Sequence, residues 1–270
     1  MKIEGRNNDA TTGLGGIPRA PGRPPTRSHR VRVLAASVAA TAVLSTGLLA
    51  LTGPAGAASP ASPAQNGEIA FTSARSGHYE VYLTDAAGTE PAVSVTDGMV
   101  AYSPDLSSDG EKVAFTGRQD GREKVFVANT DGSGDPVNVT GTMTGNSPVL
   151  SPDGEKVAFV SFLEGKQEIY VANADGSEGP VHVTAANSAA DYHPAFSPDG
   201  EKIAYTSLSS QDGDEDVYVT VAGWDGSLPT NVSSDDSSDD ERPEFSPDGG
   251  ELLFTSDRDG NYDIYADTPG

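Results

Sequence analysis

The chain has 270 residues, with 17 Lys+Arg against 40 Asp+Glu, a net charge of −23 and no cysteine. That length suits one large domain or two small ones. The acidity argues against nucleic acid or an anionic lipid surface as a partner, because both need a basic footprint. Without cysteine there is neither a disulfide nor a lipoprotein anchor, so packing alone must hold the fold.

The charge is unevenly placed. Residues 1–57 hold seven of the Lys+Arg and two of the Asp+Glu, leaving ten basic and thirty-eight acidic residues, a net −28, in the remainder. Arg19, Arg23, Arg27, Arg30 and Arg32 precede the apolar run VLAASVAATAVLSTGLLAL (33–51) and then Ala55-Gly56-Ala57. A basic n-region (1–32), an apolar h-region (33–51) and a small-residue site form a secretory signal peptide, with cleavage expected after Ala57. The alternative is a signal anchor, since about 20 apolar residues span a bilayer. Ala, Ser and Thr dilute the run and Gly53-Pro54 interrupts its end, which favours cleavage; the lack of an Arg-Arg pair argues against twin-arginine export. A short linker (58–67) then leads to a domain over 68–270, expected to work outside the cytoplasm with no membrane contact after cleavage.

From Glu68 onward the sequence repeats. The Asp-Gly turns end at Gly110, Gly154, Gly200 and Gly249, spaced by 44, 46 and 49 residues. Each unit opens with an apolar run: EIAFTS (68–73), EKVAFTG (111–117), EKVAFVS (155–161), EKIAYTS (201–207) and ELLFTS (251–256). An aromatic-aliphatic run follows: YEVYLTD (79–85), KVFVANT (124–130), EIYVANA (168–174), DVYVTVA (216–222) and YDIYAD (262–267). A third, Val-rich piece comes at 93–96, 137–140, 181–184 and 230–233. The fourth is VAYS (100–103), PVLS (148–151), PAFS (194–197) and PEFS (243–246). Runs of this length, rich in Val, Ile, Phe and Tyr and bounded by Gly, Asp, Asn and Pro, are strands. In VAFV (157–160) both alternating sets are apolar, so both faces of that strand are buried.

Ser-Pro-Asp-Gly fits a type I turn and joins the fourth strand of one unit to the first of the next as a tight hairpin. The first copy, SPDLSSDG (103–110), reads as carrying a four-residue insertion. Four-stranded units of 40–50 residues arranged radially make a β-propeller. Eighteen strands are expected, in an all-β propeller of about five four-stranded antiparallel blades. The ring is closed by pairing of its ends, with an incomplete ring as the alternative because exposed edges invite aggregation. SPAQNG (62–67) reads as a decayed turn that would allow a further inner strand around 58–62.

FSPDGEKIAYTS (196–207), with DRDGNYDIY (257–265) after the last turn, resembles the WD40-like repeat known as PD40, found in TolB-family propellers. The resemblance covers roughly residues 68–267. It implies a propeller, commonly of six blades in that family. The family's amino-terminal α/β domain is expected to be missing here, since only 58–67 separates the cleavage site from the first strand.

Candidate sites lie in loops. Asp257, Asp259, Asn261 and Asp263 place oxygens at alternate positions around Gly260, as a calcium loop does. However, the place of the bidentate Glu is taken by Thr268, and the equivalent loops RSGHYE (75–80), QDGREK (119–124) and LEGKQE (163–168) keep Gly but lose most acids. A hairpin turn is the plainer reading, so no cofactor is expected, with calcium the one candidate. The acidic run SSDDSSDDER (233–242) reads as a solvated loop, since like charges packed together repel.

Residues just before each inner strand should ring the central channel: Met99, Ser147, His193 and Arg242, with Tyr192 beside them. Loops on a rigid scaffold are where propellers and other folds carry ligands. His193 near Asp191 resembles half a catalytic pair but lacks a positioned nucleophile. Asn138 and Asn231 match glycosylation triplets, but both fall in the repeating Val-rich strand; Trp224 reads as blade-edge packing. Serine peptidases with propellers of this kind need a Gly-x-Ser-x-Gly elbow and a separate hydrolase domain, and the sequence after 57 has no such elbow. The expectation is therefore an exported, monomeric, non-catalytic propeller that binds a protein, peptide or carbohydrate at its channel mouth. The alternatives are a carbohydrate-active or metal-dependent enzyme there, or a purely structural envelope protein.

Overall fold

A computed structural model describes residues 67–269, apart from 164, 185–188, 209–212, 224–225 and 234–236. The expected signal segment, all but the last residue of the expected linker, and Trp224 lie outside the described residues. The chain divides after Gly56, and every described residue belongs to the second unit.

Among the described residues, eighteen strands form five antiparallel sheets, each with its strands in chain order. The first sheet holds β1 (Glu68–Ser73), β2 (Glu80–Asp85) and β3 (Val93–Ser94). The second holds β4 (Ala101–Leu106), β5 (Lys112–Gln119), β6 (Arg122–Asn129) and β7 (Val137–Asn138). The third holds β8 (Asn146–Leu150), β9 (Lys156–Leu163), β10 (Lys166–Asn173) and β11 (Val181–His182). The fourth holds β12 (Ala190–Phe196), β13 (Lys202–Leu208), β14 (Glu215–Val221) and β15 (Thr230–Asn231), and the fifth β16 (Asp240–Phe245), β17 (Leu252–Ser256) and β18 (Asp263–Asp267). Each expected run corresponds to one strand.

Alternation along these strands sends one set of side chains back to the preceding sheet and the other forward to the next. Val113, Phe115, Phe126 and Ala128 pack back against Val81 of the first sheet. Ala114, Val125 and Val127 pack forward against Val157, Phe159 and Tyr170 of the third. The same joint recurs between the third and fourth sheets and between the fourth and fifth. Each sheet carries a stacked aromatic pair across two neighbouring strands, Phe71–Tyr82, Phe115–Phe126, Phe159–Tyr170, Tyr205–Tyr218 and Phe254–Tyr265, and in the third sheet His182 stacks on Tyr170 as well. A fully buried side chain of this kind contributes roughly 1.5–3 kcal/mol, and aromatic pairs add about 0.5–1.5 kcal/mol each. That sum makes the sheet-to-sheet joint the main source of stability in a chain with no covalent cross-link.

The ends differ. Ile264 holds in β18 the position of Val81, Val125, Ile169 and Val217, which are wholly buried, yet it is 75% exposed. Ile69, the counterpart of the wholly buried Val113, Val157, Ile203 and Leu252, is 47% exposed. The first and last sheets are separate three-stranded sheets. Closure by pairing of the ends is thus not present among the described residues.

The hairpin turns are held by a repeated side-chain device. Ser151 Oγ donates to Asp153 Oδ1 at 2.5 Å, Glu155 N donates to the same oxygen at 3.0 Å, and Lys156 N donates to Ser151 Oγ at 2.9 Å. Ser197–Asp199 and Ser246–Asp248 repeat it. So do Ser107 and Asp109. The first turn is therefore Ser107-Ser108-Asp109-Gly110, of the same length as the others, and the expected four-residue insertion does not exist. Ser103-Pro104 belongs to the inner strand instead, in register with Ser147-Pro148, His193-Pro194 and Arg242-Pro243. Each turn glycine has positive φ, between 66° and 75°, a region that a side chain with a Cβ resists.

Candidate functional site

The four innermost strands share one irregularity. Pairing with the second strand shifts between Tyr102 and Asp105, Asn146 and Val149, Tyr192 and Ala195, and Glu241 and Glu244. At the crest of each bulge a non-glycine residue takes positive φ: Ser103 at 51°, Ser147 at 51°, His193 at 53° and Arg242 at 56°. A proline follows each one. Left-handed backbone costs about 1–3 kcal/mol at such residues, and a following proline further disfavours helical torsions. At two of the four crests the preceding sheet pins the bulge: Ser147 N donates to Thr116 Oγ1 at 3.2 Å, and Arg242 N donates to Thr206 Oγ1 at 3.0 Å. All four crest side chains are exposed.

Three of the expected mouth residues, Ser147, His193 and Arg242, are therefore brought together as crest residues, with Tyr192 beside them. Met99 is not among them. It packs against the first joint, where a Cβ placed on Gly117 would come within 2.5 Å of its sulfur. Ser103 occupies its expected place. The signal that locates it is an Xaa-Pro pair beginning seven residues before each turn glycine.

Behind the crest lies a polar layer. Tyr192 donates to Glu215 Oε1 at 2.5 Å and meets the His193 ring edge-on at 5.0 Å. Tyr102 donates in the same way to Glu123 Oε1 at 2.5 Å. Burial, then the bond to Glu123 and its charge, pushes the Tyr102 hydroxyl up to about 12. Burial, then Glu215, raises Tyr192 as well. Burial lowers the His193 imidazole, and the Arg242 charge adds to this, so the ring is neutral at neutral pH. Among the described residues no hydrogen bond joins Ser103 or Ser147 to His193, and Asp191 is wholly buried while His193 is exposed.

Two carboxyl groups deeper in the inner strands gave no sequence signal as a pair. Asp105 and Glu244 hold equivalent positions in β4 and β16. Burial, opposed by the Leu150 N–H and reinforced by the Glu244 charge, raises Asp105 to about 6. Glu244 keeps contact with water but is enclosed enough that burial raises it too.

The calcium candidates serve the β17–β18 hairpin. Asp257 Oδ1 accepts from Asp239 N at 3.1 Å, Asp259 Oδ2 accepts from the Tyr265 hydroxyl at 2.7 Å, and Asp263 opens β18 opposite Ser256. Among the described residues no group of three or more potential ligands is positioned to hold a metal. The acidic run differs from a solvated loop at its end. Asp240 is wholly buried and accepts from Arg258 at 3.1 and 3.2 Å, and that guanidinium lies over the Tyr265 ring at 4.5 Å.

Stacked antiparallel sheets, four of them with a bulged innermost strand, define a β-propeller. The TolB beta propeller domain (PD40) matches residues 122–268, and the chain belongs to that family. It is similar to a TolB-type protein of Agrobacterium tumefaciens (25% identity, TM-score 0.52, covering 65% of this chain and 61% of that one). It is also similar to TolB of Acinetobacter baumannii (21%, 0.54, 75% and 52%). A puromycin-hydrolyzing peptidase of Mycobacterium tuberculosis shares the fold (19%, 0.54, 71% and 34%). The match thus spans less than two thirds of each of these proteins. No curated protein matches the chain.

Proposed function

We propose that this propeller is an exported, non-catalytic binding module that takes a protein, peptide or carbohydrate at the mouth formed by its inner-strand bulges. One observation carries the reading. Four strained crests, at Ser103, Ser147, His193 and Arg242, present four exposed side chains at one end of a rigid stack. Fixing exposed polar groups in advance lowers the entropy lost on binding. Export rests on the basic, apolar and small-residue order of residues 19–57. No helix among the described residues is long and apolar enough to cross a membrane. Capture from culture supernatant and envelope extracts with the chain from Ala58 tests the proposal. A retained partner that is lost on His193→Ala/Arg242→Ala substitution is expected; reproducible turnover by the same preparation overturns it.

The carbohydrate-active alternative is favoured by one feature, the Asp105–Glu244 pair, because a raised carboxyl beside a second one is the acid–base arrangement of glycoside hydrolysis. Loss of a measured hydrolysis on Asp105→Asn would establish it. The Asp257–Asp263 loop is proposed to act as a turn, with no heat expected in calcium titration at millimolar concentration.

A further inference from the structure

In a chain so acidic, the distribution of its few cations is informative. The β5–β6 hairpin turns through Asp120 (φ 53°) and Gly121 (φ 76°), a two-residue turn with both torsions positive. Such a turn matches the twist of the flanking strands. It holds Arg118 and Arg122 close to its two sides, both exposed. Neither guanidinium has a hydrogen-bond or ion-pair partner among the described residues. Both line one cavity of about 340 Å³ between the second and third sheets, with Glu123, Asn146, Ser161 and Phe162.

Two further features suit this cavity to a ligand. Ser161 is only 2% exposed, and its hydroxyl has no partner. A buried hydroxyl left unpaired destabilises the fold, a cost removed when a ligand supplies an acceptor. Phe162, the next residue, is 61% exposed, an apolar surface beside the polar groups. Glu123 is already engaged by Tyr102 and, at 3.4 Å, by Asn146 Nδ2. It remains a negative charge in the wall. Among the lining residues two guanidinium groups face one carboxylate, and the Asp120 carboxylate lies in the turn between them, so the site suits a monoanion better than a dianionic phosphate. Arg is the side chain best shaped to grip a carboxylate with two parallel N–H groups.

We infer that this cavity binds a carboxylate group of a peptide whose adjoining apolar side chain rests on Phe162, with Arg118 and Arg122 as the charge partners and the Ser161 hydroxyl as a donor. The site rests on the proposed binding role of this end of the propeller and names its ligand chemistry. A terminal carboxylate and a Glu or Asp side chain present the same chemistry.

The test is chemical-shift titration of the chain from Ala58 with N-acetylphenylalanine, its neutral amide, phenyl phosphate and glucuronate. A capped Glu-Phe amide separates a side-chain carboxylate from a terminal one, and binding of either supports the site. Binding by the carboxylate with shifts at Gly121, Gly145, Ser161 and Phe162 is expected, and the neutral amide should bind at least about tenfold more weakly. Arg118→Gln/Arg122→Gln, both surface changes, should weaken the carboxylate about tenfold or more. Ser161→Ala should weaken it about threefold to tenfold while leaving thermal stability equal or higher, which a structural hydroxyl would not do. Equal binding of acid and amide, insensitivity to the double substitution, tighter binding of phenyl phosphate or glucuronate, or no shift at about 20 mM overturns the inference. If partner capture at the crest succeeds while these titrations fail, the pocket alone is wrong; if both fail, the binding role falls with it.

Discussion

Leu150 donates its backbone N–H to Asp105 Oδ2 at 2.7 Å, tying the innermost strand of the second sheet to that of the third. The bond stabilises the ionised carboxyl, yet burial outweighs it and Asp105 titrates at about 6. The folded state therefore binds this proton more tightly than the unfolded chain does. The group's stabilising contribution is complete below pH 4, declines as pH rises, and is lost above about 6. The turn aspartates Asp109, Asp199 and Asp248 do the opposite. Their serine partners, and then backbone N–H groups, lower them, so their contribution is present at neutral pH and fades as pH falls below 4. Asp105→Asn isolates the first effect. Its stability relative to the parent should rise by about 1–2 kcal/mol between pH 4 and pH 7 in urea unfolding. A difference that does not change with pH contradicts this assignment, and Glu244→Gln should move the midpoint downward.

Gly200 closes the fourth sheet's turn at φ 73°, with Pro152 of the neighbouring turn 3.8 Å from where a Cβ would stand. Space is available; the torsion is the obstacle. Gly200→Val should cost about 2–3 kcal/mol, since a β-branched residue resists left-handed backbone. Thermal unfolding reads this directly, and a melting temperature equal to the parent's would contradict the turn geometry.

His193 is exposed at a crest with φ 53° and touches Tyr192 edge-on. His193→Ala should leave folding nearly intact, within about 1 kcal/mol, because only the ring contact is lost. His193→Gly should match or exceed it by relieving the torsion, and His193→Val should fall below both. The order Gly, Ala, Val in denaturant midpoints is the readout.

Asp240 and Arg258 form an ion pair within the fifth sheet, with the carboxylate wholly buried. Asp240→Asn replaces the buried carboxylate that Arg258 grips with a neutral amide, which should cost about 2–4 kcal/mol. Adding Arg258→Met should recover part of that loss, since the two charges are then removed as a pair. A double variant no more stable than Asp240→Asn would show that the pair is not coupled.

The repeat made the architecture legible before any coordinates. A run apolar on both faces, VAFV (157–160), Asp-Gly turns at spacings of 44 to 49 residues and an aromatic-aliphatic run in every unit require sheets that stack face to face. Local chemistry was enough, because a turn glycine or a β-branched run carries its own preference for conformation. Where two local signals competed, the sequence misled. Ser103-Pro104-Asp105 looks like the start of a turn, yet the Ser107–Asp109 pair makes the turn and Ser103 crests a bulge. Asp240 looks like one more solvated acid, but its partner Arg258 stands eighteen residues away in sequence.

The sequence by itself determined the repeat, the strand order and the turns, since each depends on residues close together along the chain. Only the tertiary structure decided which side chains share a site: Met99 in the first joint, Asp105 coupled to Glu244, and Arg118 with Arg122 beside Ser161. Burial, charge coupling and an unpaired hydroxyl are properties of groups meeting across sheets, and no local pattern in the chain encodes where those meetings fall.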